Sequence, residues 1–149
     1  MTDTQTFVEI TARSTADLAE TYVALWNEPD ADRRRRMIAR LWAKHGRHIL
    51  QPPQEIRAIA AQPGIAMTAI LEAQGYEEIE ARATSAYEHW VGSEGLSFRG
   101  RDDADRLGDV VKLHWEAVAK DGTVVAVGLS FLVLAADARI ERDYTFIVA

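Results

Sequence analysis

The spacing of apolar residues changes period once along the chain, from a helical repeat in the first part to strand-like runs in the last. Leu18, Tyr22, Leu25 and Trp26 recur on one helical face. Ser14 with Asp17 three residues on has the form of an N-cap pair that would open this first helix. Asn27-Glu-Pro-Asp30 breaks it, and Asp30 is placed to cap a second helix with the stripe Met37, Ile38, Leu41 and Trp42. Gly46 is expected to end that helix, with His48-Ile49-Leu50 a short strand stopped by Pro52-Pro53. Residues 54–75 are ambiguous. Short helical patterns there (Ile56, Ile59, Ala60; Met67, Ile70, Leu71) are interrupted by Pro63-Gly64 and Gly75. Ile79, Ala83, Ala86, Tyr87 and Trp90 then mark a third main helix, closed by Gly92 and Gly95.

From Leu96 onward the pattern is that of strands. Leu96–Gly100 is short, whereas Asp109–Val118 and Thr123–Leu134 are long and rich in Val, Leu, Phe and Trp. Lys120-Asp-Gly-Thr123 between them is a hairpin turn signal, and Ala136-Asp-Ala-Arg139 leads into a last strand, Ile140–Val148. Helices first and an antiparallel meander last predict an α+β fold. No internal repeat, low-complexity segment or linker divides the chain, so residues 1–149 are expected to form a single domain.

If Asp121 and Gly122 are the two turn residues, Ala117 stands opposite Ala126, Trp115 opposite Gly128, and Leu113 opposite Ser130. Trp beside a bare Gly is sound packing, since the ring covers the exposed backbone. The other face would set Lys112, His114 and Glu116 against Val127, Leu129 and Phe131. A three-residue loop with a glycine bulge would shift this pairing by one. Neither face of Thr123–Leu134 is polar, so both should be covered, one by helices and the other by a second subunit. A homodimer through the outer sheet face is therefore expected.

Composition narrows the chemistry. With 48% hydrophobic and 27% charged residues, 149 residues suffice to bury a core. A net charge of −6 and a pI near 5.2 argue against a nucleic-acid partner. The run Arg33–Arg36 does not reverse this: on a helix, successive residues step about 100°, so the four point around the axis. They are read as a solvated face, against an anion or partner contact as the alternative. No cysteine is present, which excludes disulfides and thiolate chemistry. No apolar run is long enough to cross a membrane, and the N-terminal stretch lacks a signal-peptide pattern, so a cytoplasmic location is expected by elimination.

Tyr22-Val-Ala-Leu-Trp-Asn, Arg40-Leu-Trp-Ala43, Gln51-Pro52, the Trp115 strand and Asp137-Ala-Arg-Ile140 resemble the nuclear transport factor 2-like superfamily, and within it bacterial SnoaL-like proteins. The likeness covers nearly the whole chain through short, degenerate motifs. It implies a cone-shaped barrel: a strongly curved, mainly antiparallel sheet wrapped around three main helices. Such a cone encloses an apolar pocket, is usually dimeric, and takes a small apolar or aromatic ligand without a cofactor. Members include ketosteroid isomerases, polyketide cyclases, dehydratases, epoxide hydrolases and non-catalytic modules, so the fold leaves activity open. Residues 54–75 would lid the mouth of the cone.

Carried over residue by residue, the resemblance assigns Tyr22 as the first-helix oxyanion donor of ketosteroid isomerases. Their general-base position is Gln51, an amide without usable basicity, and their second oxyanion donor falls near Ser130. The last-strand base of SnoaL-type cyclases falls at Thr145. The acid that remains is Asp143, on the same strand face as Thr145; among aromatic side chains its pKa would rise, as suits an acid or base. Asp143 and Tyr22 are the candidate catalytic pair, with Trp26, Gln51, Tyr87, Trp115 and Ser130 as candidate substrate contacts. The alternatives are a solvent-facing or arginine-paired Asp143, and a non-catalytic ligand-binding or dimerisation module. The histidines give no metal signature: His45 and His48 would split across opposite strand faces, His89 adjoins Trp90, and His114 lies on the outer face.

Overall fold

The computed structural model describes residues 3–52, 54, 57, 58 and 71–149, with side chains from residue 14 onward. Its architecture is α+β: three main helices and one seven-stranded, mostly antiparallel sheet. Helix α1 spans Asp3–Asn27 and α2 Ala31–Leu41; strands β1 (Trp42–Leu50) and β2 (Leu71–Gln74) follow. Next come α3 (Gly75–Ala86), continued by a π-helical segment (Tyr87–Ser93), and strands β3 (Ser97–Gly100), β4 (Asp105–Leu107), β5 (Val110–Val118), β6 (Val124–Leu134) and β7 (Ile140–Ile147). The sheet order is β2-β1-β7-β6-β5-β3, with β4 also paired to β5. Every pairing is antiparallel except β1 with β7.

Two helix boundaries differ from expectation. Helix α1 runs back past Ser14 and Asp17, which lie inside it and are exposed, so they cap nothing. Its end is as expected, and Asn27 ties it down: the side-chain amide donates to Phe98 O (2.6 Å) and accepts from Phe98 N (2.8 Å). Asp30 caps α2 by accepting from Arg33 N at 2.9 Å. That helix stops at Leu41 rather than at Gly46, because Trp42 turns to an extended conformation and opens β1 directly. Trp42 is wholly buried as the first residue of a strand rather than the last of a helical stripe. Gly46 sits inside β1 at the irregularity that offsets Trp42 from Arg47; a Cβ there would meet Ile140 O and the Trp42 ring at 2.8 Å.

The arginine run is not uniformly solvated. Arg33, Arg35 and Arg36 are exposed, but Arg34 is buried, donating to Glu28 O at 2.8 Å with its guanidinium over the Tyr87 ring at 5.2 Å. Arg34 thus clamps α2 onto the turn before it and onto the end of α3. Leu71, placed with an ambiguous helical pattern, begins β2. Ile56, Ile59, Ala60, Met67, Ile70 and Pro63-Gly64, with most of the proposed lid, lie outside the described residues. The third-helix stripe holds for Ile79 and Ala83, both buried, but Trp90 in the π-helical segment is 45% exposed.

The β5–β6 register is the expected one from Ala117↔Ala126 through Trp115↔Gly128 to Leu113↔Ser130, yet the turn is the alternative one. Ala119 N donates to Thr123 O, Gly122 N donates to Ala119 O, and Gly122 has φ +89°, which is a three-residue loop with a glycine bulge. A second irregularity between Ala117 and Val118 restores the two-residue register. The core lies between the helices and one sheet face: Tyr22, Leu25, Ile38 and Ile79 pack on Trp42, Val111, Leu113 and Leu132.

Candidate active site

Strand alternation sends Asp143 and Thr145 of β7 to the helix side of the sheet, together with Ser130 and Leu132 of β6 and Leu113 and Trp115 of β5. The parallel β1–β7 pair places His48 directly beside Asp143. From above, α1 lowers Tyr22 onto this row. Tyr22, Ser130, Asp143, Thr145 and His48 are all buried, Asp143 completely.

The hydrogen bonds have a defined direction. Trp115 Nε1 can only donate, and it donates to Ser130 Oγ at 3.1 Å. Thr145 Oγ1 donates to Asp143 Oδ1 at 2.8 Å, so the 2.8 Å contact between Ser130 and Thr145 has Ser130 as donor. The chain therefore runs Trp115 to Ser130 to Thr145 to Asp143. A second arm ends on the other carboxylate oxygen: Tyr22 Oη donates to Asp143 Oδ2 at 2.6 Å. His48 Nε2 stands 3.6 Å from the same oxygen. Trp26 lines the group, edge-on to Tyr22 at 6.2 Å and tilted over the His48 ring at 5.2 Å.

Burial dominates the electrostatics. It pushes Asp143 up to about 7, against the downward pull of the Tyr22 and Thr145 hydrogen bonds and of the Arg82 charge. It raises the Tyr22 phenol well above its ordinary value, helped by the adjacent Asp143 charge. His48 is lowered to about 3, by burial first and then by Arg82. A carboxylate that titrates near neutrality while donors converge on both oxygens can take and return a proton at physiological pH.

The structure thus brings together Tyr22, Trp26, Trp115, Ser130 and Asp143 of the expected set. Gln51 flanks them at the end of β1, where its Oε1 accepts from Ile147 N at 3.0 Å and its own N–H donates to Thr145 O at 2.9 Å. Tyr87 stands apart, beneath Arg34. His48 is the member that sequence reasoning missed; its only sequence signal is its place on the same strand face as Leu50, two residues on. His114 pairs with Asp103 on the other face, at 2.5 Å. Among the described residues no three His, Asp or Glu side chains gather as a metal site, and no helix is long and apolar enough to cross a membrane.

Two grooves approach the cluster. One, of about 540 Å³, lies between α1 and β3–β5, with Ala19, Val23 and Leu113 in its wall and Glu20, Asp103 and His114 at its polar edge. Leu113 is paired with Ser130, so this groove ends one side chain from the hydroxyl chain. The other, of about 560 Å³, runs along α3 past Leu50, Ala73, Arg82 and Trp90.

No family sequence profile matches the chain, and neither does any curated protein sequence. Solved structures do match. A SnoaL-like family protein from Agrobacterium tumefaciens, provisionally described as an isomerase, is 24% identical with a TM-score of 0.71, covering 91% of this chain and 97% of that one. A SnoaL-like protein from Burkholderia thailandensis is 17% identical with a TM-score of 0.60, over 91% and 95%. A protein with a ketosteroid isomerase-like fold from Catenulispora acidiphila, solved in complex with trimethylamine, is 16% identical with a TM-score of 0.57, over 87% and 83%. At these identities the likeness establishes the fold: the chain is built as SnoaL-like, ketosteroid isomerase-like and nuclear transport factor 2-like proteins are.

Proposed function

We propose that the chain binds a small, largely apolar, ring-containing molecule between α1 and the inner sheet face. There it carries out cofactor-free proton transfer of the isomerase, cyclase or dehydratase kind. The observation that supports this most is Asp143: completely buried, titrating at about 7, and approached by donors on both oxygens. A core needs no such group, since a buried carboxylate carries a desolvation cost even when hydrogen-bonded and an apolar residue of similar size would pack as well. The likeness of the fold to proteins provisionally described as an isomerase and a polyketide cyclase agrees with it.

In the proposed reaction Asp143 removes a proton from a carbon next to a carbonyl. The C–H bonding pair moves into the new C=C bond, and the carbonyl π pair moves onto oxygen. Once Asp143 is protonated its hold on the Tyr22 hydroxyl weakens, and Tyr22 is free to donate to the enolate oxygen. Returning the proton to another carbon completes an isomerisation; attack of the enolate carbon on a second carbonyl pushes that carbonyl's π pair onto its oxygen, and transfer of the Asp143 proton to the alkoxide completes a cyclisation. Trp26 and Trp115 supply apolar walls, Ser130 and Gln51 the polar contacts that orient the ligand. The proposed way in is the groove between α1 and β3–β5, which Leu113 separates from Ser130 and whose size suits a ligand of one to three rings.

The second reading, a non-catalytic ligand-binding or dimerising module, is favoured by one fact: both Asp143 oxygens are already satisfied within the protein. Deuterium exchange separates the two without knowledge of the natural substrate. The protein is incubated in D2O with a panel of cyclic ketones, and loss of α-proton signals is followed by NMR. Exchange faster than buffer, falling about 10²–10⁴-fold in Asp143→Asn, is expected. Exchange equal to buffer throughout, or untouched by the substitution, would transfer the assignment to the non-catalytic module.

A further inference from the structure

We infer that Arg82 fixes the buried His48 as the neutral tautomer protonated at Nε2, aiming an N–H at Asp143, and so serves the carboxylate site as a positioning residue. Arg82 stands on α3 with Nη1 3.1 Å from His48 Nδ1, 2.9 Å from His48 O and 3.3 Å from Leu71 O. A guanidinium has five N–H donors and no acceptor, so the ring nitrogen it touches must be the unprotonated one. A neutral imidazole then carries its hydrogen on Nε2, and Nε2 is the atom that faces Asp143 Oδ2 at 3.6 Å. The two bonds from one Arg82 nitrogen, to the ring and to the backbone of the same residue, hold the ring in this orientation.

The surroundings keep His48 neutral. Trp26 covers it from α1 and the edge of Trp42 from β1. The charged or titratable groups facing this pair are Tyr22 from α1, Asp143 from β7, Arg82 and Glu78 from α3, and Glu72 from β2. Glu78 accepts from Gln74 N and Glu72 pairs with Arg47, so the cation at Nδ1 is Arg82. Burial and that cation lower the ring's pKa to about 3, consistent with a neutral donor across the neutral range. Arg82 also lines the groove along α3, so this link joins the buried carboxylate to the surface.

The inference rests on the proposed carboxylate chemistry for its purpose but not for its test, which needs no turnover. Long-range proton–nitrogen NMR on the folded protein, with His48→Gln to assign the signals, reads the tautomer directly. Expected for His48 are an unprotonated Nδ1 and a protonated Nε2, unchanged from pH 5 to 8. In Arg82→Met the preference should be lost and the Asp143 carboxyl, followed by carbon NMR, should titrate higher; Arg82→Lys, which keeps a donor, should restore both. A wild-type His48 protonated at Nδ1, or charged in that range, overturns the inference, and this reading does not depend on Arg82→Met folding. So does an Arg82→Met protein in which both signals stay as in the wild type. The expected tautomer combined with exchange insensitive to Asp143→Asn would retain this inference and remove the catalytic one.

Discussion

Tyr22 and Asp143 are 121 residues apart in sequence and 2.6 Å apart in space, joined by the shortest of the hydrogen bonds in the buried cluster. The bond links the first helix to the last strand across the core, so it serves the fold and the proposed chemistry together. Its acceptor is a group that burial alone would neutralise, and its donor is one that the same burial keeps protonated.

This balance has a pH signature. Between about pH 4 and 7 folded Asp143 holds a proton that the unfolded chain releases, so Asp143 makes stability fall as pH rises. His48 does the reverse between about pH 3 and 6.5, because the unfolded chain binds a proton that the folded ring refuses. In the wild type the two slopes offset each other. Relative to it, Asp143→Asn should gain stability as pH rises from 4 to 7, and His48→Gln should gain as pH falls from 6.5 to 3. Each slope should reach on the order of 1.4 kcal/mol per pH unit at most. Urea unfolding at a series of pH values tests this; parallel curves for the three proteins would contradict it.

Gly128 leaves the space that the Trp115 indole fills, and a Cβ added there would overlap the ring. Gly128→Ala should therefore displace the indole, break its bond to Ser130 and cost about 2–4 kcal/mol. In a Trp115→Ala background the same change should cost little or nothing. A double-mutant cycle decides it, and a coupling near zero would mean that the ring does not need the gap.

Ala138 turns the β6–β7 hairpin at φ +67°, a conformation that strains any side chain. Its N–H donates to Ala135 O, and Ala135 N donates to Arg139 O, so the turn cannot relax without losing both bonds. Ala138→Gly should stabilise the protein by about 0.5–1 kcal/mol in chemical denaturation, without altering the cluster.

On the outer sheet face Phe131 and Phe146 meet edge-on, while Val125, Phe146 and Val148 remain between 44% and 50% exposed. The proposal that a second copy covers this strip predicts a dimer by light scattering and a monomer for Phe146→Glu. A wild-type monomer at high protein concentration would reject it.

Much of this was legible in local pattern. The helical face Leu18–Trp26, the α2 cap at Asp30, the long strands and the pairing of Trp115 with Gly128 depend on neighbours a few residues away or on one hairpin, and short-range physics specifies those. Strand alternation likewise placed Asp143 and Thr145 on one face of the last strand, but the β6–β7 register that brings Ser130 beside them belongs to the tertiary structure. Where it stopped is equally physical. Trp42 satisfies a helical stripe as well as a strand, and only the sheet edge available beside Ile140 draws it into β1. Nothing in the chain's periodicity pairs β1 with β7 in parallel across some ninety intervening residues, yet that pairing sets His48 against Asp143 and brings Arg82 over it. Local pattern specified the three main helices, the long strands and the carboxylate Asp143, whereas long-range strand pairing set the edges of the sheet and the imidazole that the carboxylate meets, because contacts between distant segments leave no trace in the periodicity of either.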